Sequence, residues 1–266
     1  MRFRGPEGVV SARIEELPVE PLDLETLELP EPCELLAPVE PPEVWCAGVT
    51  YERSRDARIQ ESAVKDVYSL VYDAERPELF LKDAACRRTV GPGAVIGIRS
   101  DSAWNVPEPE IGVVLGQAGE LVGLTIGNDV SSRDIEGQNP LYLPQAKTYA
   151  GACSLGPAVL VPDDWGASLE IRMRICGPGG EELFSGETST ARMRRSFDEL
   201  VSWLVRENPV PPGSVLLTGT GLVPGDDFTL EPGHVVEIHV PGIGTLVNPV
   251  GVAADLLATT RSLIDV

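Results

Sequence analysis

Apolar residues in this chain gather in short runs rather than in long amphipathic stretches. Runs rich in Val, Ile and Leu occur at Val44–Val49, Ala94–Ile98, Ile111–Leu115, Leu121–Ile126, Ala158–Val161, Leu169–Ile175, Ser214–Thr218, Val235–Val240 and Gly244–Val247. Most are bounded by Gly, Pro, Asn or Asp, and runs of this length with such punctuation predict strands. Three stretches read as helices: Ser54–Tyr72, the short tail Val252–Leu263, and part of Thr190–Asn208. In the last of these, Phe197, Leu200, Val201 and Leu204 recur near the 3.6-residue period. Strands dominate, which predicts an α+β fold. Residues 14–43 have a different texture, rich in Glu, Pro and Leu and ending in Pro41-Pro42, and predict extended chain broken by turns.

Composition narrows the picture. With 266 residues, the chain is long enough to bury a substantial core, and 24 Pro and 27 Gly weigh against a helix bundle. Forty-one acidic against 21 basic residues give a net charge of −20, a field that repels phosphate backbones and anionic lipid. Neither nucleic acid nor a membrane surface is expected as a partner. Five scattered cysteines form no C-x-x-C pair, so reduced thiols are expected rather than a disulfide framework or a zinc knuckle. No apolar segment follows the two arginines of residues 1–10, and no apolar run approaches the ~18 residues of a membrane span. The expectation is a soluble cytoplasmic protein.

Histidine chemistry has little material, because His234 and His239 are the two histidines and lie five apart in one strand-like run. An odd separation sends them to opposite faces, which predicts structural roles. There is no G-x-S-x-G elbow, and the Gly219-Thr220-Gly221 segment lacks the rest of a nucleotide fingerprint. The acidic spacing says more. Glu108 and Glu110 stand at i and i+2 where a strand begins, so both project from one face, and Asp129 follows the next strand-like run. Two adjacent strands with a short reversal would set Asp129 beside the pair. Three hard oxygen ligands suit Mg²⁺ or Mn²⁺; the competing reading is a solvated acidic strand edge. Lys147 lies in an apolar and aromatic setting, where burial or a metal would lower its pKa and make it a candidate base. Glu78 and Lys82 share a face if their segment is a strand, either as functional groups or as a surface ion pair.

The order of segments resembles the fumarylacetoacetate hydrolase superfamily. The resemblance is carried by Cys46-Ala47-Gly48-Val49-Thr50-Tyr51, Phe80-Leu81-Lys82, Glu108-Pro109-Glu110, Asn128-Asp129-Val130-Ser131-Ser132-Arg133, Gln145-Ala146-Lys147, Leu217-Thr218-Gly219-Thr220-Gly221 and the run from Gly242 to Asn248. It implies a mixed β-roll or β-sandwich core over 44–266, a small N-terminal domain over 1–43, and a homo-oligomer, dimer or tetramer. It also implies one divalent ion, Mg²⁺ with Mn²⁺ as substitute, held by Glu108, Glu110 and Asp129.

Fold does not choose the reaction, since the superfamily hosts hydrolases, decarboxylases, isomerases and dehydratases. Many of its C–C bond hydrolases and decarboxylases carry a histidine after the first motif, and Thr50 to Arg55 has none. Longer strings, Arg76 to Phe80, Trp104 to Glu110, Asn139 to Lys147, Arg192 to Arg195 and Thr218 to Gly225, resemble the branch that dehydrates 2-keto-3-deoxy-D-arabinonate. That branch implies Lys147 and Glu78 as the catalytic pair. It places Lys82 and a threonine of the Thr218-Gly219-Thr220-Gly221 loop at the substrate, Thr220 or Thr218. Apart from the resemblance, an anionic substrate of a chain this acidic calls for a local positive well, for which Arg133 and Arg76 are further cationic candidates. The segment Asp83 to Arg88 departs from the branch pattern. The reaction so implied is Mg²⁺-dependent loss of water from a 2-oxo sugar acid to give 2,5-dioxopentanoate. A C–C bond hydrolase of acylpyruvase type, or a 2-oxo acid decarboxylase, is the alternative within the superfamily. A metal-binding scaffold without catalysis is the alternative outside enzymes.

Overall fold

Parity along the strands organises the molecule. In the computed structural model, which describes residues 2–5, 8–11, 34–53 and 70–257, three short strands stand at the N-terminal end: β1 (Arg2–Gly5), β2 (Gly8–Ser11) and β3 (Glu34–Leu35). They pair in the order β2-β1-β3. A seven-stranded sheet follows, built from β4 (Glu43–Gly48), β5 (Glu78–Ala84), β6 (Thr89–Val90), β9 (Pro109–Leu115), β10 (Leu121–Asp129), β12 (Cys153–Leu160) and β15 (Val215–Leu217). A five-stranded sheet contains β7 (Ile96–Ile98), β13 (Glu170–Cys176), β14 (Glu182–Ser189), β16 (Val235–Val240) and β17 (Gly244–Val252). A two-stranded ribbon joins β8 (Asn105–Val106) to β11 (Ser131–Ser132). Helices α1 (Arg133–Gln138), α2 (Leu143–Lys147) and α3 (Phe197–Leu204) fill the connections.

Strands β13, β16 and β17 alternate buried with exposed or half-buried residues, as a sheet with one face on the core requires. Their inner residues, among them Ile171, Met173, Val236, Ile238 and Leu246, pack with Ile111, Val113, Leu115, Leu124 and Ile126 of β9 and β10 and with Leu200 and Leu204 of α3. Strand β9 is buried throughout, so it shows no alternation in its burial. Its even-numbered positions face the opposite way, where Val114 joins Val44, Cys46, Cys153, Leu155, Val215 and Leu217 in a second apolar cluster. Glu108 and Glu110 continue this second face.

The seven strands run in the order β5-β4-β15-β9-β10-β12-β6, which puts β5 and β6 at opposite edges. Yet only residues 85–88 separate them in the chain, and the Asp83 carboxylate of β5 accepts from Thr89 N (2.9 Å) and Thr89 Oγ1 (2.7 Å) of β6. The two edges therefore meet, and the sheet curls into a roll whose second face lies inside. Asp83 also accepts from Ala84 N, Arg88 N and Arg88 Nη1, so this buried carboxylate is fully satisfied.

The strand-dominated α+β expectation holds. Helix α3 is the predicted one, capped by the Ser196 side chain on Glu199 N. Residues 54–69 of the predicted first helix lie outside the described residues; 70–73 are helical, as are 253–257 of the predicted tail, with 258–263 outside. Strand β14 escapes the apolar pattern because it is an edge strand of mostly exposed residues. Helices α1 and α2 are too short for a 3.6-residue stripe to show. His234 is buried and His239 half-buried on opposite faces, their Nδ1 atoms meeting Glu231 N and Thr245 Oγ1. Cys46, Cys86, Cys153 and Cys176 are free thiols, as expected; Cys33 lies outside the described residues. Among the described residues, no helix is long and apolar enough to cross a membrane.

Candidate active site

The inner face of the roll gathers the candidate site residues. Register sets Asn128 opposite Pro109 and Gly127 opposite Glu110, and Asp129 N donates to Glu108 O at 2.9 Å. Asp129 therefore comes beside the Glu108/Glu110 pair, as the strand reversal predicts. Ligand oxygens of Glu108, Glu110 and Asp129 lie within 4.8 Å of one another, and all three residues are buried. The solvated-edge reading is excluded by that burial.

Three cations face the three carboxylates. Lys147, the last residue of α2 and 1% exposed, directs Nζ to Glu108 Oε2 (2.7 Å), Asp129 Oδ2 (2.8 Å) and Ser131 Oγ (2.6 Å). Arg133 Nη2, at the start of α1, donates to Glu108 Oε1 at 2.9 Å. Lys82 falls at a register shift between β4 and β5, and such an irregularity re-aims a side chain. Its Nζ pairs with Asp129 Oδ1 and donates to Val130 O at 3.0 Å.

Glu110 is served differently, by Gly219 N at 2.6 Å. Gly219 has φ +91°, and a Cβ there would come 2.0 Å from Thr50 Oγ1, so the loop that offers this amide needs glycine. Burial pushes the Glu110 carboxyl well above the ordinary glutamate range, and the Asp129 and Glu108 charges push it further, against Lys147 and the Gly219 amide. The cluster is thus short of positive charge at Glu110. Three converging hard oxygens, one of them under-compensated, fit a divalent cation of the Mg²⁺ class.

A cavity of about 20 Å³ adjoins these groups, with room for roughly one water-sized occupant. Glu78, Lys147, Arg133, Glu136 and Thr220 line it together with Glu108, Glu110 and Asp129. Gly48, opposite Glu78 in register, leaves the space that the glutamate occupies: a Cβ at 48 would lie 2.1 Å from Glu78 Oε2. Thr220 lines the cavity, its Oγ1 donating to Leu222 O, whereas Thr218 Oγ1 turns away to Ile111 O at 2.9 Å. Lys82 lies behind Asp129 rather than on the wall. Arg76 is outside the cavity, its guanidinium 4.5 Å from the centre of the Trp203 ring.

Sequence reasoning passed over Ser131, the Gly219 amide and Glu136. Glu136 is 2% exposed and stands three residues after Arg133 on the same face of α1, a spacing visible only once those residues are known to be helical. Asp134 fixes α1 by accepting from Ser102 Oγ (2.6 Å), Ser132 Oγ (2.8 Å), Ala103 N (2.8 Å) and Ile135 N (2.9 Å).

Residues 43–251 match the C-terminal domain of fumarylacetoacetate hydrolase. The chain belongs to that family. Among its relatives, a probable 2-keto-3-deoxyxylonate dehydratase of Haloferax volcanii is 54% identical over 214 residues, covering 80% of this chain and 73% of the relative. A 2-dehydro-3-deoxy-D-arabinonate dehydratase of Saccharolobus solfataricus is 46% identical over 219 residues, with the same coverage of 80% and 73%. A solved structure of 2-keto-3-deoxy-D-arabinonate dehydratase with magnesium and 2,5-dioxopentanoate superposes with a TM-score of 0.77 at 42% identity, covering 88% of this chain and 81% of that one. Fumarylacetoacetate hydrolase family membership agrees with the curled, strand-rich fold and with the three-carboxylate cluster on its inner face.

Proposed function

We propose that this protein is a Mg²⁺-dependent hydro-lyase that converts 2-dehydro-3-deoxy-D-arabinonate to 2,5-dioxopentanoate and water. The observation that carries this reading is the buried contact of Lys147 Nζ with Glu108 and Asp129, in a cavity that Glu78 also lines. The relative at 54% identity is a probable dehydratase of this substrate type, the one at 46% a dehydratase of 2-dehydro-3-deoxy-D-arabinonate, and the superposed structure holds magnesium and 2,5-dioxopentanoate.

Glu108, Glu110 and Asp129 would hold the cation, which supplies a Lewis acid for the 2-oxo acid carbonyl. The remaining work falls to side chains. With the carboxylates given over to the cation, Lys147 is the base that takes the proton from C3, and Ser131 Oγ remains to orient its Nζ. Glu78 gives a proton to the C4 hydroxyl as its C–O bond breaks, so water leaves and the C3–H electron pair becomes the C3=C4 bond. The resulting allylic alcohol reaches 2,5-dioxopentanoate by tautomerisation: one hydrogen leaves C5 and C3 gains one, giving the C4=C5 enol, and the proton of the C5 hydroxyl then goes to C4, with no change in formula. Arg133 and Thr220 contact the substrate from the cavity wall. Lys82 steadies Asp129 from behind. Arg76, against Trp203 and outside the cavity, is given no substrate contact in this reading. A five-carbon acid exceeds the present volume, so its entry requires the walls to move apart.

The domain boundary we propose lies near residue 43, where the three-stranded N-terminal sheet gives way to the roll; this reading assigns 1–43 to the small domain and 44–266 to the catalytic one. A homo-oligomer of cytoplasmic location is part of the same proposal, by likeness to the family. The testing experiment is product analysis. Mg²⁺-loaded protein with a panel of 2-keto-3-deoxy sugar acids should yield a five-carbon semialdehyde lighter than its substrate by one water, and chelation should stop it. Release of CO₂, or of two shorter fragments, would instead identify a decarboxylase or a C–C bond hydrolase.

A further inference from the structure

The turn that closes the roll carries charge beyond what closure uses. Ala85 and Cys86 hold positive φ, 57° and 49°, a left-handed conformation that non-glycine residues adopt at a cost. The turn is pinned by Asp83 and delivers Arg87 and Arg88 to the rim of a cavity of about 570 Å³, separate from the carboxylate cluster. Arg99 and Asp101 form another wall, and Tyr149 and Leu257 contribute apolar surface. Three guanidiniums against two carboxylates, Asp101 beside Arg99 and Asp83 behind Arg88, leave a net positive charge that inverts the balance of a chain with 21 basic and 41 acidic residues.

The arginines are held in different ways. Arg99 is committed: Nε and Nη2 grip Asp101 at 2.7 and 2.6 Å, Nη1 donates to Gln145 O at 3.1 Å, and the guanidinium stands 5.7 Å from the centre of the Tyr149 ring. It is a fixed positive wall. Arg88 contributes Nη1 to Asp83 at 3.2 Å, and Arg87 contributes Nε to Ala84 O at 3.2 Å. Among the described residues, no protein acceptor takes the Nη atoms of Arg87 or Nη2 of Arg88. Planar donor pairs beside a third cation suit an anion with several oxygens and more than one charge.

We propose that this cavity binds a small organic phosphate, its head taken by Arg87 and Arg88 beside Arg99 and its body lying against Tyr149 and Leu257. A phosphate, with several terminal oxygens for the Nη donors of Arg87 and Arg88 beside the paired Arg99, matches the cavity better than a carboxylate does, and this separates the ligand class from the 2-oxo acids assigned to the inner site. The inference stands independently of the dehydration reading, because it uses none of the inner carboxylates or Lys147.

Calorimetric titration of the metal-free full chain with inorganic phosphate and with phenyl phosphate tests it. Both should bind at one site, phenyl phosphate the more tightly, and Arg87→Ala should weaken both about tenfold, the loss of one charge-assisted contact. Arg87 is exposed, so this variant keeps the fold. Lys147→Met should leave phosphate affinity unchanged. No heat at millimolar phosphate, unaltered affinity in Arg87→Ala, benzoate binding as well as phenyl phosphate, or loss of binding in Lys147→Met would each overturn the proposal.

Discussion

Replacing Lys147 by methionine separates its two roles in the cluster. In the metal-free protein its ammonium neutralises Glu108 and Asp129 at 2.7 and 2.8 Å, while Arg133 and Lys82 each serve one of the same carboxylates. Lys147→Met keeps the volume and removes one of three buried cations. Breaking a buried ion pair by deleting one partner costs about 3–5 kcal/mol. For a chain of this size, each kcal/mol moves Tm by roughly 2–4 °C, so the metal-free variant should melt about 6–20 °C below wild type. Mg²⁺ restores the missing charge. The variant should therefore regain most of that loss on saturation and bind Mg²⁺ roughly two to three orders of magnitude more tightly than wild type, which must displace an ammonium to load the ion. Turnover should be absent throughout. Thermal melts across a Mg²⁺ series, beside a turnover assay, read all three quantities. An equal Mg²⁺ shift in both proteins would refute the competition between ammonium and cation, and wild-type turnover in the variant would remove Lys147 as the base.

Glu110 is held above the ordinary glutamate range, so the folded metal-free protein keeps a proton that the unfolded chain releases. Its stability should fall as pH rises through the ordinary glutamate value toward the folded one. Glu110→Gln should flatten that part of a melting-versus-pH profile while weakening Mg²⁺ binding; an unchanged slope would contradict the assignment. Gly48→Ala should displace the Glu78 carboxyl, since its Cβ would lie 2.1 Å from Oε2, and lower kcat at least tenfold with Mg²⁺ affinity intact. Kinetics with a parallel metal titration separate the two readouts. For Asp134, burial raises the carboxyl pKa, but donors from Ser102, Ala103, Ser132 and Ile135 outweigh it and hold the group below the usual aspartate range. This contribution to stability is present above the unfolded value and lost as pH falls through the folded one. Asp134→Ala should cost about 2 kcal/mol by denaturant titration at neutral pH, and much less in strong acid.

The sites legible in the sequence are those whose geometry is local. Glu108 and Glu110 share a face because strand period dictates it, and Asp129 joins them because β9 and β10 are consecutive antiparallel strands. His234 and His239 separate by the same rule. What could not be read are contacts made across the roll. Gly219 supplies an amide to Glu110 from more than 100 positions away, and Lys82 reaches Asp129 through a register shift that no local pattern announces. The Asp83–Arg88 segment, a departure from the family pattern in sequence, is where the roll closes: Asp83 ties the two edges of the sheet and fixes a turn with two residues at positive φ. Glu136 needed α1, and a six-residue helix is too short to leave a periodic stripe. The likeness to the family supplied the order of the motifs, while the roles proposed for Glu78 and Lys147 rest on both that likeness and their meeting in one cavity.

The central claim is a single divalent cation among three carboxylates, within reach of Lys147. Anomalous diffraction from a crystal soaked in Mn²⁺ measures it most directly. The account predicts one strong peak about 2.0–2.3 Å from oxygens of Glu108, Glu110 and Asp129, with Lys147 Nζ withdrawn from at least one of its two carboxylates. A peak elsewhere, or none with Lys147 still bound to both, would contradict it.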